Sequence, residues 1–227
     1  MKVKGVIFDA DGTLLDSMYI WAGVASSYLD SKGIEHDGTE DKIIQEMCIT
    51  EAVAHCKKKY KLSDSPEQII ADICSFAKNE YFYNAKEKGD IKKLLEALRA
   101  RGVKMCIATA TDRQLISAAL KRLSMLDYFT FIITCDEIGK SKSVPDVYRL
   151  ALERLGTEKS ETLVFEDAYY AANTAIKDGF KVIGVDDASC ADYLPKEIKC
   201  DYRQAMLELC GSCYDDYTKV IKDLELL

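Results

Sequence analysis

Four short stretches hold residues whose types and spacing could do chemistry. In Val6-Ile7-Phe8-Asp9-Ala10-Asp11-Gly12 an apolar run ends in two aspartates separated by one residue, and a glycine then turns the chain away. Next-but-one side chains of a strand leave on the same face, so Asp9 and Asp11 could share one metal ion or one reacting group. Like charges held that close repel, and a bound divalent cation is the simplest compensation. An Asp-Gly hairpin turn would account for Asp11-Gly12 but would leave Asp9 idle at the strand end. The run Val103 to Ala108 ends in Thr109-Ala110-Thr111-Asp112, just before a helical pattern. A hydroxyl beside the N–H groups of a helix start makes a phosphate cradle, compatible with an ordinary helix cap by Thr111 or Asp112. Leu163-Val164-Phe165-Glu166-Asp167 repeats the opening logic, an apolar strand ending in two acids, and Lys140 and Lys142 lie shortly before Pro145-Asp146. Such an oxygen-rich set suits a hard cation, Mg²⁺ first.

The elements that must position these residues follow from hydrophobic period. From Asp90 onward strand and helix patterns alternate: a helix stripe at Ile91, Leu94, Leu95 and Leu98, then strands at Val103 to Ala108, Phe131 to Ile133, Leu163 to Phe165 and Val182 to Val185, with helices between them. This predicts an α/β fold, a Rossmann-like parallel sheet with right-handed crossovers, whose strand ends gather the ligands. Between the first strand and Lys88 the pattern is helical throughout. Trp21, Val24, Ala25, Tyr28 and Leu29 recur at helical spacing up to Gly33, and further helices are predicted at 41–48, 51–60 and 66–85. An all-helical block between two strands of a sheet reads as an inserted α-helical domain. The predicted division is a core of residues 1–16 and 88–227 and a helical insert of 17–87, and the stretch 202–227 offers helix patterns without recognisable chemistry.

Composition narrows the class. With 227 residues, 48% of them hydrophobic, the chain can bury a substantial core, and 12 glycines and 3 prolines leave no collagen-like or linker-dominated reading. A formal net charge of −7 argues against nucleic acid as partner. Lys57-Lys58-Lys59 is the one basic run and reads as a solvated helix face. No export signal is visible, and no apolar run approaches the roughly 20 residues that span a bilayer. The nine cysteines are scattered, several inside apolar runs, as fits a reducing cytoplasm. Cys210-Gly-Ser-Cys213 has redox or zinc spacing but no second pair at metal-ligand distance. A cytoplasmic monomer without membrane contact is expected.

Phe-Asp-x-Asp-Gly-Thr-Leu-x-Asp-Ser, residues 8–17, resembles the first motif of the haloacid dehalogenase-like phosphatases, in the branch with phosphoglycolate phosphatases and β-phosphoglucomutase. The resemblance covers nearly the whole chain. It implies that the insert 17–87 is a cap closing over the site and that Thr109, with Ala110 beside it, is the phosphate-binding second motif. Alignment on Pro145-Asp146 makes Lys142 the lysine of the third motif, with Ser143 replacing a proline and Lys140 as rival. Asp167 is implied as a magnesium ligand with Glu166 in support; Ala168 and Ala171 replace the usual serine and glycine. The implied reaction is phosphoryl transfer from a small phosphorylated metabolite to Asp9, a nucleophile and Mg²⁺ ligand, followed by hydrolysis of the aspartyl-phosphate. Asp11 would be the acid and base, touching the metal through its main-chain carbonyl.

Three other functions use similar residues. A metal-free dehalogenase would have no purpose for Asp11 and Asp167. A phospho-receiver would have no use for a helical cap. A sugar phosphomutase of the β-phosphoglucomutase type would need a histidine and a lysine where alignment puts Trp21 and Asp112, and a carboxylate there would repel a second phosphate. A phosphatase is the preferred reading. Trp21, with Met18 beside it, is expected either to shape the substrate pocket or simply to pack between helices.

Overall fold

The computed structural model describes residues 2–225; Met1, Leu226 and Leu227, the ends of the two core segments read from the sequence, lie outside them. Strand β1 (Gly5–Phe8) is followed by a two-residue strand β2 (Leu15–Asp16). Five helices come next, α1 (Met18–Trp21), α2 (Val24–Ser31), α3 (Glu40–Ile43), α4 (Ile49–Tyr60) and α5 (Pro66–Asn79), the last running into a π-helical turn, Glu80–Asn84. The chain returns through β3 (Lys86–Glu87). It then alternates: α6 (Ile91–Ala100), β4 (Lys104–Thr109), α7 (Arg113–Arg122), β5 (Ile132–Thr134), α8 (Cys135–Ile138), α9 (Asp146–Leu155), β6 (Thr162–Glu166), α10 (Tyr169–Lys177) and β7 (Lys181–Val185). Helix α11 (Tyr202–Cys210), strand β8 (Cys213–Tyr214) and helix α12 (Tyr217–Asp223) complete it.

Six strands form one parallel sheet in the order β5-β4-β1-β6-β7-β8. The first strand therefore lies inside the sheet, with β4 on one side and β6 on the other, so the chain order reverses at β1. That is where an open α/β sheet leaves a crevice at its carboxyl edge. Alternate side chains of β1 feed two cores. Val6 and Phe8 join Leu94, Leu98, Ile116 and Val220 on one face, and Ile7 joins Cys106, Val147, Val164 and Ala172 on the other. Phe8 stacks on Phe165 of β6 with ring centroids 4.8 Å apart.

The helical block has a third core of its own, built from Tyr28, Leu29, Val53, Cys56, Leu62 and Ile69. Its two connections are joined as an antiparallel pair, Leu15 opposite Glu87 and Asp16 opposite Lys86. The sequence predicted no strand in this region, because a two-residue strand leaves no periodic signal. The predicted continuous helix through Trp21 and Val24 breaks at Ala22-Gly23, where Gly23 takes φ +76° as the cap of α2. The helix predicted over 41–48 becomes α3 followed by the 3₁₀ turn Ile44–Glu46. The carboxyl-terminal stretch, predicted as helix patterns, also supplies the edge strand β8.

Candidate active site

The carboxyl ends of β1, β4 and β6, with the loop before α9, converge on one spot. Asp9 follows β1, and its amide donates to the Phe165 carbonyl at 2.9 Å, so the β1–β6 ladder extends to the residue itself. Lys142 is buried and donates to a carboxylate oxygen of Asp9 and, at 2.5 Å, to Oε1 of Glu166. Tyr148 of α9 donates to the same Glu166 oxygen at 2.7 Å. Burial alone would push the Lys142 ammonium down, but the carboxylates of Asp9 and Glu166 outweigh it and hold it well above its ordinary value. Lys142 thus stays charged between two acids. The rival Lys140 is exposed and pairs with Asp146.

Asp9, Glu166 and Asp167 offer carboxylate oxygens that all lie within 4.8 Å of one another, every one buried. Burial and the neighbouring charges of Asp9, Glu166 and Asp187 push the Asp167 carboxyl well up. Oε2 of Glu166 is buried without a hydrogen-bond partner among the described residues. An orphaned carboxylate oxygen beside two more carboxylates is an excess of hard, negative donors over local cations, which a hard divalent ion fits. Thr13 donates to Oδ1 of Asp167 at 3.0 Å and the Cys190 thiol to Oδ2 at 3.3 Å, which orients this carboxylate. Gly12, at φ +79°, makes the close approach possible: a Cβ there would collide with the Asp167 carboxylate.

The Asp11 side chain is held apart from this cluster. Oδ1 accepts from Ser17 and from Tyr81, each at 2.5 Å, and Oδ2 accepts from Thr111 at 2.6 Å. Burial first, and the Asp9 charge second, raise its carboxyl pKa against these hydrogen bonds. Two neighbouring acids are therefore in different settings, Asp9 against a lysine and Asp11 among hydroxyls. Tyr81 also accepts from the Trp21 indole at 2.7 Å, so Trp21 reaches Asp11 through one phenol. Trp21 and Met18 both line the cavity above the strand ends, and Trp21 packs on the main core as well.

Thr109 is buried and accepts from the Thr111 amide at 3.1 Å, leaving its own proton to donate; Ala110 lines the same cavity. The helix cap is Asp112, which accepts from Gln114 and Leu115, while Thr111 serves Asp11. Neither histidine lines the cavity: His36 pairs with Asp30 and His55 with Glu40. Several supporting residues lie outside every motif. Tyr81 comes from the π-helical turn, Tyr202 of α11 donates to the Asp167 carbonyl, and Tyr217 of α12 donates to the Thr13 carbonyl. The stretch 202–227, predicted to carry no recognisable chemistry, thus buttresses the site. With 13 tyrosines in the chain, sequence alone offered no signal to select these three. The Cys210 and Cys213 thiols are both free, and burial pushes each up to about 12.

The family model for haloacid dehalogenase-like hydrolases matches residues 6–185, most of the chain and every strand that ends at the site. The chain belongs to that family. It is a hydrolase, and several curated relatives of this hydrolase are named phosphatases. A phosphorylated carbohydrates phosphatase of Thermotoga maritima is 25% identical over 181 residues, which cover 80% of this chain and 84% of that protein. A fructose-1-phosphate phosphatase of Escherichia coli is 23% identical over 184 residues, 81% of this chain and 97% of that one. Among solved structures, a β-phosphoglucomutase of Clostridium difficile superposes with a TM-score of 0.77 at 16% identity, covering 98% of this hydrolase and 96% of that chain. The likeness fixes the fold, a Rossmann-like core with added helices. No helix among the described residues is long and apolar enough to cross a membrane.

Proposed function

We propose that this hydrolase is a Mg²⁺-dependent phosphatase that cleaves a small phosphate monoester through an aspartyl-phosphate on Asp9. The observation that carries the reading is the contrast between the two acids of the first motif. Asp9 is ion-paired with the buried Lys142 ammonium, which holds its carboxylate in place as the group to attack phosphorus. The Asp11 carboxyl is raised by burial and held by three hydroxyls, which suits a group that gives and takes a proton.

In the proposed sequence the phosphoryl oxygens are received by the Thr109 hydroxyl, the backbone near Ala110 and the Lys142 ammonium. Asp9 attacks, Asp11 protonates the departing alkoxide, and Asp11 then takes a proton from the water that opens the acyl phosphate. Asp9, Asp167, Glu166 and the Asp11 carbonyl would hold Mg²⁺, which when bound neutralises charge on the transferring phosphoryl group. Residues 17–87 act as a cap over the reacting centre, with Trp21 and Met18 in the substrate pocket.

A mutase would need to bind a second phosphate. Asp112 lines the cavity as a helix-capping carboxylate, and the histidines are engaged elsewhere, so hydrolysis is the better-supported outcome. The test is a Mg²⁺-dependent assay over a panel of phosphate monoesters. Release of inorganic phosphate by the wild type and its loss in Asp9→Asn are expected. No turnover of any ester would overturn the proposal.

A further inference from the structure

The cavity above the strand ends has a volume of about 550 Å³. That is far more than a phosphoryl group needs and lies in the range of sites for whole small molecules. Its wall on the helical block is apolar, formed by Trp21, Val24, Ile44, Met47, Ile49 and Ile73. Among the described residues, that block gives the cavity no arginine, histidine, amide or hydroxyl side chain. The one half-buried acid it supplies, Asp41, is already engaged. Its Oδ1 accepts from the amides of Ala25 at 2.8 Å and Ser26 at 3.3 Å, and its Oδ2 accepts from the Ser26 hydroxyl. Lys42, Glu46 and Lys196 also border the cavity, but all three are exposed and so lie toward its mouth.

A polyhydroxylated leaving group turned against this wall would give up water partners without gaining protein ones. An alkyl or aryl group would gain by burying its surface there. We infer that the phosphate ester taken by this site carries an apolar alcohol rather than a sugar. The inference rests on the reading of the strand ends as a phosphate-ester site, and it adds the chemical class of the leaving group. Thr109, Lys142 and the acids stand at the strand ends, and the part of the helical block that faces them away from the exposed rim is aliphatic and aromatic, with the engaged Asp41 as its one acid.

Binding and cleavage separate the two claims. Ethyl-, butyl- and hexylphosphonate, which cannot be hydrolysed, are titrated into the Mg²⁺-loaded wild-type protein beside the phosphonate analogue of glucose 6-phosphate. Affinity is expected to rise about threefold per added methylene, with hexylphosphonate about tenfold tighter than the sugar analogue or better. Affinity independent of chain length, or tighter binding of the sugar analogue, overturns the inference. Met47→Gln and the shape-conserving Val24→Thr are each expected to reduce the gain per methylene; an undiminished gain in both overturns the assignment to this wall. Turnover of the matching phosphates is measured separately. Chain-length-dependent binding without cleavage of any ester sinks the phosphatase proposal and leaves this inference standing, whereas cleavage with flat chain-length dependence does the reverse.

Discussion

At the scale of residues, two aspartates two positions apart have been given different surroundings by different parts of the chain. The Asp9 environment comes from the loop that carries Lys142; that of Asp11 comes from Ser17, Thr111 and Tyr81. Tyr81 lies 70 positions from Asp11 in sequence and links it to Trp21. Tyr81→Phe keeps the ring and its packing while removing both hydrogen bonds, and kcat is expected to fall about tenfold with a smaller change in KM. Steady-state kinetics on one cleaved ester decides this; an unchanged kcat would show that Ser17 and Thr111 suffice to hold Asp11. Gly12→Ala tests the approach of the first turn to Asp167. The new methyl meets the carboxylate at a positive φ, so loss of Mg²⁺ affinity, read by calorimetry, is expected along with lowered stability. The strand-end residues were legible in the sequence because each ends an apolar run with a polar side chain. Tyr81, Tyr202 and Tyr217 were not, because each acts through a hydroxyl brought in by tertiary packing.

At the scale of elements, the helical block touches the core at a place remote from its own connections. Asp136 of α8 accepts from the Thr50 hydroxyl at 2.7 Å and from its amide at 3.4 Å, so a core carboxylate sits at the start of α4. Ser143, standing where the family pattern has proline, donates to the Glu46 carbonyl at 3.4 Å. These contacts hold the block over the strand ends. Removing one hydrogen bond of this kind costs about 1 kcal/mol, so Thr50→Ala is expected to lower the equilibrium constant for seating the block on the core roughly fivefold. The readout is a rise in KM with stability little changed; a fall in stability with KM unchanged would assign Thr50 a capping role only. Period legibly marked the long helices α4 and α5 and the central strands. It missed β2, β3 and β8, two residues each, whose pairing is set by tertiary position rather than by any repeat.

For the molecule as a whole, stability and chemistry draw on charge in opposite ways. The site concentrates buried acids around one lysine, whereas helices α9 and α10 on one side of the sheet are tied by compensated pairs. Asp178 accepts from Arg149 at 3.0 Å and from Lys159 at 3.0 Å. The Arg149 guanidinium, and then Lys159, hold its carboxyl below the ordinary value against the effect of burial. A depressed folded pKa contributes stability above the unfolded value, and that contribution is lost as pH falls through the folded one. Asp178→Asn is therefore expected to lower Tm at neutral pH and to converge on the wild type in strong acid. A difference that persists unchanged into strong acid would contradict the ion-pair origin.

The central claim is that Asp9 carries the phosphoryl group. It is tested most directly by quenching the wild-type enzyme in acid during turnover of a cleaved ester with Mg²⁺, reducing any acyl phosphate with borohydride, and identifying the modified residue by mass spectrometry. Conversion of Asp9 to homoserine, dependent on both ester and Mg²⁺, is the predicted result. Sustained turnover with Asp9 unmodified at every quench time, together with retained activity in Asp9→Asn, would contradict it.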